Sequence, residues 1–346
     1  MRLRADTRVV VERVGSRWEA LRRACILVTG GTGFIGRWLL ESFVAANREW
    51  GLDASAVVLT RRPREFARDA PGLVQEASIT LHEGDVRELL PGFASVTHVI
   101  HGATPASATL NRTDPGSMFE VIELGTRRVL ELCAGQHVQR LLLLSSGAVY
   151  RQPASPGVPL TEDSPFGREA PEEASAYHAG KRLAERLAWE AASDRGFALT
   201  IARPFAFVGP YLPLDAHFAI GNFIRDVLNG GPVIVDGDGT QVRSYLYAAD
   251  MAAWLWAMLL DASAGGHAYN VGSELALSVA EVARLVRRVG LAEADVEIRR
   301  HGGSSGGGDW YVPSTERARL ELGVEEWTTL EDAVKRTIDW HKERRP

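Results

Sequence analysis

A chain of 346 residues that is 45% hydrophobic and 24% charged has room for one large α/β domain and a second, smaller lobe. A net charge of −5 with no basic block leaves no electrostatic footprint for nucleic acid or an acidic membrane surface, so an anionic ligand has to be held by local arginines. The longest apolar run, Ala252 to Leu260, falls well short of the roughly 18 residues that span a bilayer, and no membrane partner is expected.

At the start of the chain, Arg2, Arg4, Arg8, Arg13, Arg17, Arg22 and Arg23 accompany no apolar signal core, so a cytoplasmic protein is expected. Val9-Val10-Val11, Val14, Trp18 and Leu21 recur at helical spacing and predict an amphipathic helix before the first strand, serving packing or an interface. The two cysteines, Cys25 in a predicted strand and Cys133 in a predicted helix, lack metal-ligand spacing. Both are expected buried, reduced and inert, and no metal site is expected.

Ile26-Leu27-Val28-Thr29 reads as a short buried strand and is followed by Gly30-Gly31-Thr32-Gly33-Phe34-Ile35-Gly36, then by an amphipathic run from Trp38 to Val44. Strand, glycine turn and helix in that order form a dinucleotide fingerprint. Gly30 permits the tight turn, Gly33 lets the backbone approach a pyrophosphate, and Gly36 lets the helix pack closely on the strand. Further strands are predicted at Ala56 to Thr60, Ser78 to His82, His98 to His101, Arg140 to Leu144 and Leu199 to Ala202, with helices between them at Met118 to Cys133 and Ala174 to Ala191. The alternation predicts an α/β fold, a doubly wound Rossmann parallel sheet with a smaller C-terminal substrate-binding lobe. After Arg203 the order loosens, with a helix near Ala219 to Leu228, a strand Val233 to Val235 and a helix Ala249 to Leu260. The expected organisation is an N-terminal helical extension (1–24), the dinucleotide-binding domain (25–203 plus about 240–265) and the lobe (204–239 plus 266–346). Gly302-Gly303-Ser304-Ser305-Gly306-Gly307-Gly308 predicts a mobile loop.

Tyr177-His178-Ala179-Gly180-Lys181 places a phenol and an ammonium one helical turn apart, downstream of Ser145-Ser146. A lysine beside a tyrosine stabilises phenolate, which brings proton exchange down from an unperturbed pKa of about 10 toward neutrality. That is equipment for interconverting an alcohol and a ketone. A Tyr and a Lys four apart on a solvated helix face would look the same, and the glycine turn is what favours chemistry.

The glycine spacing, with Ser146, Tyr177 and Lys181, resembles the extended short-chain dehydrogenase/reductase family of NAD(P)-dependent nucleotide-sugar epimerases and dehydratases. Arg203-Pro204-Phe205, Val208-Gly209-Pro210, the run Gly237 to Tyr245, and Tyr269-Asn270-Val271-Gly272 are similar to its later landmarks, so the likeness covers roughly residues 25 to 325. It implies a catalytic Ser146, with Ser145 the rival for that role, together with Tyr177 and Lys181, of which Lys181 also reaches the nicotinamide ribose. It implies cofactor contacts from Gly30, Gly33, Phe34, Ile35 and Gly36, from Asp85 and Val86 in Glu83-Gly84-Asp85-Val86, and from Ala103 and Thr104. After the second strand, Thr60-Arg61-Arg62-Pro63 offers arginines where a free ribose 2'-hydroxyl usually meets an acid, which favours NADP(H) over NAD(H). Two solvated loop arginines are the plain alternative.

Substrate contacts implied by the resemblance are Arg243 on a diphosphate, Asn222 at the start of a lobe helix, Val235 walling the base, and Tyr311 with Arg317 closing on the nucleotide. His217 and Asp215 lie near the expected sugar pocket. Ala206 stands where many relatives carry an Asn. A homodimer through the helices Met118 to Cys133 and Ala174 to Ala191 is implied on the same ground.

The residues after Ser146 narrow the reaction. dTDP-glucose 4,6-dehydratases carry an Asp and a Glu there, UDP-glucuronate decarboxylases keep that Glu, and GDP-fucose synthase has a Cys in the second place; here the residues are Gly147 and Ala148. Neither side chain can transfer a proton. The chemistries that need only Ser, Tyr, Lys and nicotinamide remain: reduction of a 4-keto-6-deoxyhexose carried on dTDP or a related nucleotide, or 4-epimerisation. A non-catalytic dinucleotide-binding regulator is a third reading, which retention of all three polar residues argues against.

Overall fold

The computed structural model describes residues 2–88, 93, 95–104, 108–135, 137–151, 153, 157–167, 175–290, 293, 295–299 and 309–344. The glycine-rich segment 302–308 and Ala174 lie outside the described residues.

Apolar, β-branched runs bounded by turns build the centre. Strands β1 (Cys25–Thr29), β2 (Ser55–Thr60), β3 (Ile79–Glu83), β4 (Val96–His101), β5 (Arg140–Leu144) and β6 (Ala198–Pro204) join β11 (His267–Val271) in one seven-stranded sheet. Every pair in it is parallel, and the order is β11-β6-β5-β4-β1-β2-β3. A parallel sheet is covered on both faces, so its strands read as nearly continuous hydrophobic runs. Side chains still alternate: Ile26 and Val28 of β1 enter one core while Leu27 enters the other.

The first core holds helices α1 (Arg2–Val14), α2 (Phe34–Trp50) and, from later in the chain, α9 (Ala248–Leu260). The predicted N-terminal helix therefore exists, and it packs across α9 and α2. A 3-10 turn over Gly15–Leu21 continues it and sets Trp18 against Trp256, ring centroids 4.9 Å apart. Buried Asp6 accepts from the Tyr247 hydroxyl at 2.7 Å and also pairs with Arg336 near the chain's end. Every residue of α9 is buried. The short helices α3 (Pro63–Asp69), α4 (Pro71–Val74) and α5 (Ala108–Thr113) precede α6 (Pro115–Gly135) and α7 (Ala176–Arg195), which pack side by side over the second core. Cys133 is buried there, with its thiol pushed up to about 12 by desolvation, whereas Cys25 is only half-buried.

The smaller lobe takes α8 (Ala219–Leu228), α10 (Val279–Gly290) and α12 (Leu330–Lys342), with β8 (Val233–Asp236) parallel to β13 (Val296–Arg299). Residues 207–208 (β7) pair with 246–247 (β10). The short β9 (Val242–Arg243) runs between β12 (Leu277–Ser278) and β14 (Trp310–Tyr311), and α11 (Glu316–Leu322) follows. One predicted boundary moves. Residues 267–271 were expected in the lobe, yet His267–Val271 is the edge strand of the main sheet, in register with Thr200 to Pro204 of β6. The short Tyr-Asn-Val run carries no period long enough to tell an added parallel strand from a lobe segment. Among the described residues no helix is long and apolar enough to cross a membrane.

Candidate active site

In the strand order β1 and β4 are neighbours, and the chain leaves β1 toward β2 on one side and β4 toward β5 on the other, so the connections turn to opposite sides between them. Ligands of open α/β sheets bind in the crevice beyond the strand C-termini at such a switch point. A cleft of about 1500 Å³ opens there, larger than an ordinary single-ligand pocket.

At its floor Gly30 holds φ +75, and a Cβ there would stand 2.5 Å from the Gly102 carbonyl oxygen. A Cβ on Gly36 would stand 2.4 Å from the Gly31 Cα, so only glycine brings α2 this close to the turn. At Gly33, the N-cap of α2, a Cβ would find its nearest neighbour 3.4 Å away at the Gly30 oxygen, and the backbone faces open space. The bare backbone and helix N-terminus fit the pyrophosphate of a dinucleotide on chemical grounds. Phe34, Ile35, Val86, Ala103 and Thr104 line the same cleft.

At the far end of the glycine turn, Arg61 and Arg62 are exposed and line the cleft. Arg62 is engaged by Glu65 at 3.3 Å, whereas Arg61 has no ion pair among the described residues. Arg37, absent from the sequence reading, enters beside them, 3.8 Å from Asp69. Asp85 is held below the usual carboxylate range by its side-chain hydrogen bond from Arg87, which donates from Nε at 3.1 Å and Nη2 at 2.9 Å.

Ser146, Tyr177 and Lys181 meet at the C-terminal end of β5. Ser146 closes the strand and its hydroxyl accepts from the Ala148 N–H at 3.1 Å. Tyr177 sits in the first turn of α7, whose start is capped from outside: the Asn111 side-chain oxygen accepts from the Tyr177 N–H and the Ser175 hydroxyl, each at 3.1 Å. Asn111 is a positioning residue that sequence reasoning missed. Lys181 is buried and donates to the Leu144 carbonyl at 2.6 Å and the Thr104 hydroxyl at 3.0 Å. Ser145, the rival to Ser146, instead donates to buried Glu185 at 2.5 Å. Glu185 also receives Arg203 in a two-point ion pair of 3.0 and 2.7 Å, and Arg203 donates to the Tyr150 hydroxyl, which in turn donates to Asn270. The Tyr-Asn-Val-Gly and Arg-Pro-Phe landmarks thus form a buried network behind the site.

The expected phenolate stabilisation by lysine differs from what the geometry provides. Burial pushes the Tyr177 phenol up, and the opposing influence is a hydrogen bond with Ser146. The Lys181 ammonium lies 5.8 Å from the Tyr177 ring centroid, and its own pKa is pulled down to about 8 by burial, with Glu185 opposing. His178 lines the cleft, and burial followed by the Arg182 charge lowers its pKa.

On the lobe side Asn222, Arg243, His217 and Tyr311 line the cleft. Arg243 is already committed to Asp309 at 2.7 Å and to the Val242 and Asp309 carbonyls. The Asn222 oxygen accepts from Arg225 at 3.2 Å. Three expectations are corrected. Val235 is 1% exposed and faces the core, while its neighbours Ile234 and Asp236 line the cleft, because a strand sends successive side chains to opposite faces. Arg317 lies on α11 outside the lining residues and pairs with Asp163 at 2.9 Å. Asp215 likewise points outward, 3.6 Å from Arg225. Arg225 and Arg299 are lining cations the sequence did not single out. Among the described residues no group of His, Cys, Asp and Glu could hold a metal ion.

A doubly wound parallel sheet with a glycine turn at its switch point and a Ser, Tyr and Lys converging beside it defines an extended short-chain dehydrogenase/reductase. The chain belongs to the NAD dependent epimerase/dehydratase family, whose model matches residues 26–272. It is 30% identical over 315 residues to UDP-glucuronic acid decarboxylase 6 of Arabidopsis thaliana, covering 89% of this chain and 86% of that protein. Among solved structures, MoeE5 in complex with UDP-glucose and NAD is 26% identical with a TM-score of 0.75, covering 92% of this chain and 99% of that one. Pal from Bacillus thuringiensis has the same fold at a TM-score of 0.78 and 24% identity, over 93% of this chain and 100% of that one.

Proposed function

We propose that this enzyme is an NADP(H)-linked oxidoreductase of nucleotide sugars that reduces a 4-keto-6-deoxyhexose on dTDP or a related nucleotide. The observation that carries the reading is the make-up of the corner around Ser146 and Tyr177. Gly147 and Ala148 stand there without acid or base, and the carboxylates among the described lining residues, Glu65, Asp69, Asp85 and Asp236, lie on other elements of the cleft. Elimination and C5 deprotonation lack a carboxylate in that corner, while alcohol–ketone exchange needs none.

When bound, the nicotinamide supplies hydride to the carbonyl carbon. Tyr177 gives its phenolic proton to the carbonyl oxygen, and Ser146 holds that oxygen by a hydrogen bond as charge develops on it. Lys181, whose ammonium lies 5.8 Å from the Tyr177 ring centroid, would reach the nicotinamide ribose. Arg61, unpaired among the described residues, supports a ribose 2'-phosphate and hence NADP(H). Arg243, once released from Asp309, and Asn222 would hold the substrate diphosphate. A homodimer through α6 and α7 completes the reading.

Lys181 titrates at about 8. Its charge is present below that pH and lost above it, so reduction is expected to slow as pH rises through about 8, read from the profile of kcat/KM.

Relatives favour a second reading. The Arabidopsis protein is named a decarboxylase, and a UDP-galactose 4-epimerase structure is 26% identical at a TM-score of 0.73. Incubation with NADPH and a panel of 4-keto nucleotide sugars, UDP-glucose and UDP-glucuronate separates them. Stoichiometric NADPH loss with a keto sugar supports reduction. Sugar interconversion without net loss supports 4-epimerisation, and carbon dioxide release from UDP-glucuronate sinks the present reading.

A further inference from the structure

The last residues of two neighbouring strands, Thr29 of β1 and His101 of β4, stand opposite each other in the sheet, and both are buried. Their side chains belong to a run of hydrogen bonds whose direction is fixed by counting protons. On α6 the Thr126 hydroxyl donates its only proton to the Ile122 carbonyl at 2.7 Å, so in the 3.2 Å contact between Thr126 and His101 Nε2 the histidine is the donor. Nε2 therefore carries the ring proton. Burial, followed by the Lys181 charge, pulls the His101 pKa down to about 3, which leaves Nδ1 bare at neutral pH. Nδ1 lies 2.8 Å from the Thr29 hydroxyl, which then donates to it.

With its proton aimed at His101, the Thr29 hydroxyl has two lone pairs to offer. Two backbone amides take them: the Gly102 and Ala103 N–H groups each donate to it at 3.2 Å, and the Gly102 N–H is shared with the Thr29 carbonyl at 3.0 Å. These amides open the loop Gly102-Ala103-Thr104, which lines the cleft beside the glycine turn and whose Gly102 carbonyl lies against Gly30. At the loop's end the Thr104 hydroxyl accepts from Lys181 at 3.0 Å. One threonine hydroxyl thus joins the glycine turn to the second loop of the cleft, and that loop carries the contact to Lys181.

We propose that His101, in its Nε2–H tautomer, is a positioning residue for the dinucleotide: it aims the Thr29 hydroxyl so that both lone pairs face the Gly102 and Ala103 amides, which holds the loop 102–104 on the glycine turn and Thr104 beside Lys181. The proposal rests on the cleft binding a dinucleotide and is independent of which sugar reaction follows. In the opposite tautomer an Nδ1–H would compete with an amide for a Thr29 lone pair, and the loop would lose an anchor. His101 and Thr126 lie outside the residues that line the cleft, so they act through Thr29 alone.

The test is fluorescence titration of the enzyme with NADPH and with NADH. Thr29→Val removes the hydroxyl at nearly constant volume and is expected to weaken both dinucleotides alike by about tenfold, the worth of one hydrogen bond. Thr29→Ser keeps the hydroxyl and is expected to stay within about twofold of the parent. Thr126→Val, which removes the acceptor that fixes the tautomer, is expected to weaken both by about threefold. In 15N spectra of the imidazoles, with the His101 signals identified by their loss in His101→Asn, a bare Nδ1 and a protonated Nε2 are expected, unchanged from about pH 5 to about pH 8. Unaltered dinucleotide affinity in either valine variant, with only the melting temperature lowered, makes these contacts a matter of stability alone and overturns the proposal. A protonated Nδ1 in the parent spectrum overturns it as well, and so does weakening of NADPH without NADH, the pattern of a 2'-phosphate contact. A parent enzyme that binds neither dinucleotide is a failure of the dinucleotide reading itself and takes the proposal with it.

Discussion

At the glycine-turn end of the cleft, main chain shapes the surface: Gly30, Gly33 and Gly36 bring backbone to within a few ångströms of backbone, with no side chain to rearrange. At the lobe end, side chains shape it, and the cations there are held by acids, Arg243 by Asp309 and Arg225 by Asp226. The first surface is preformed and intolerant. On the proposed reading, the second exchanges one anion for another when a diphosphate arrives, so its affinity would be a difference between two ion pairs.

The largest effect belongs where the two ends meet. Tyr177→Phe is expected to lower kcat by about 10²–10⁴-fold with dinucleotide affinity kept within a few-fold; a loss under tenfold places the proton donor elsewhere. At the preformed end, Gly30→Ala forces a side chain into positive φ against the Gly102 carbonyl, at a cost of about 1–3 kcal/mol in stability. Thermal melts and dinucleotide titration check it, and unaltered NADPH binding would mean that the turn adapts after all. Arg61→Ala is expected to weaken NADPH about tenfold and NADH little, measured by fluorescence titration; equal weakening refutes the 2'-phosphate role. At the exchangeable end the effect is smallest. Asp309→Asn frees Arg243, and the KM for a nucleotide sugar is expected to fall by no more than about fivefold, since a half-exposed pair is weak. A rise in KM would show that Asp309 orients Arg243 instead of competing for it.

The same division explains what could be read from residues alone. The strands of the sheet, the glycine turn, and the Ser146, Tyr177 and Lys181 set follow from local patterns: buried apolar runs, glycine spacing and a one-turn offset on a helix. Val235 failed because a one-residue error in strand parity turns a side chain from cleft to core. Arg317 and Asp215 failed because an ion-pair partner distant in sequence, Asp163 or Arg225, decides where a surface charge points. Asn111, which caps the catalytic helix from 66 residues away, and Glu185, which binds Ser145 from 40 residues away, carry no local pattern that announces those partners. His267–Val271 joined the sheet as an edge strand by register with β6, a fact of topology and not of composition.

The helix before β1 has a consequence for handling the protein. It lies across α9, a helix buried along its whole length, and presses Trp18 onto Trp256. A chain shortened to begin at the first strand would keep every residue of the cleft, yet bare a band of tryptophan, leucine and methionine to water. Such a shortened chain is therefore expected to lose solubility more than activity, since exposed apolar bands of that kind lead to self-association.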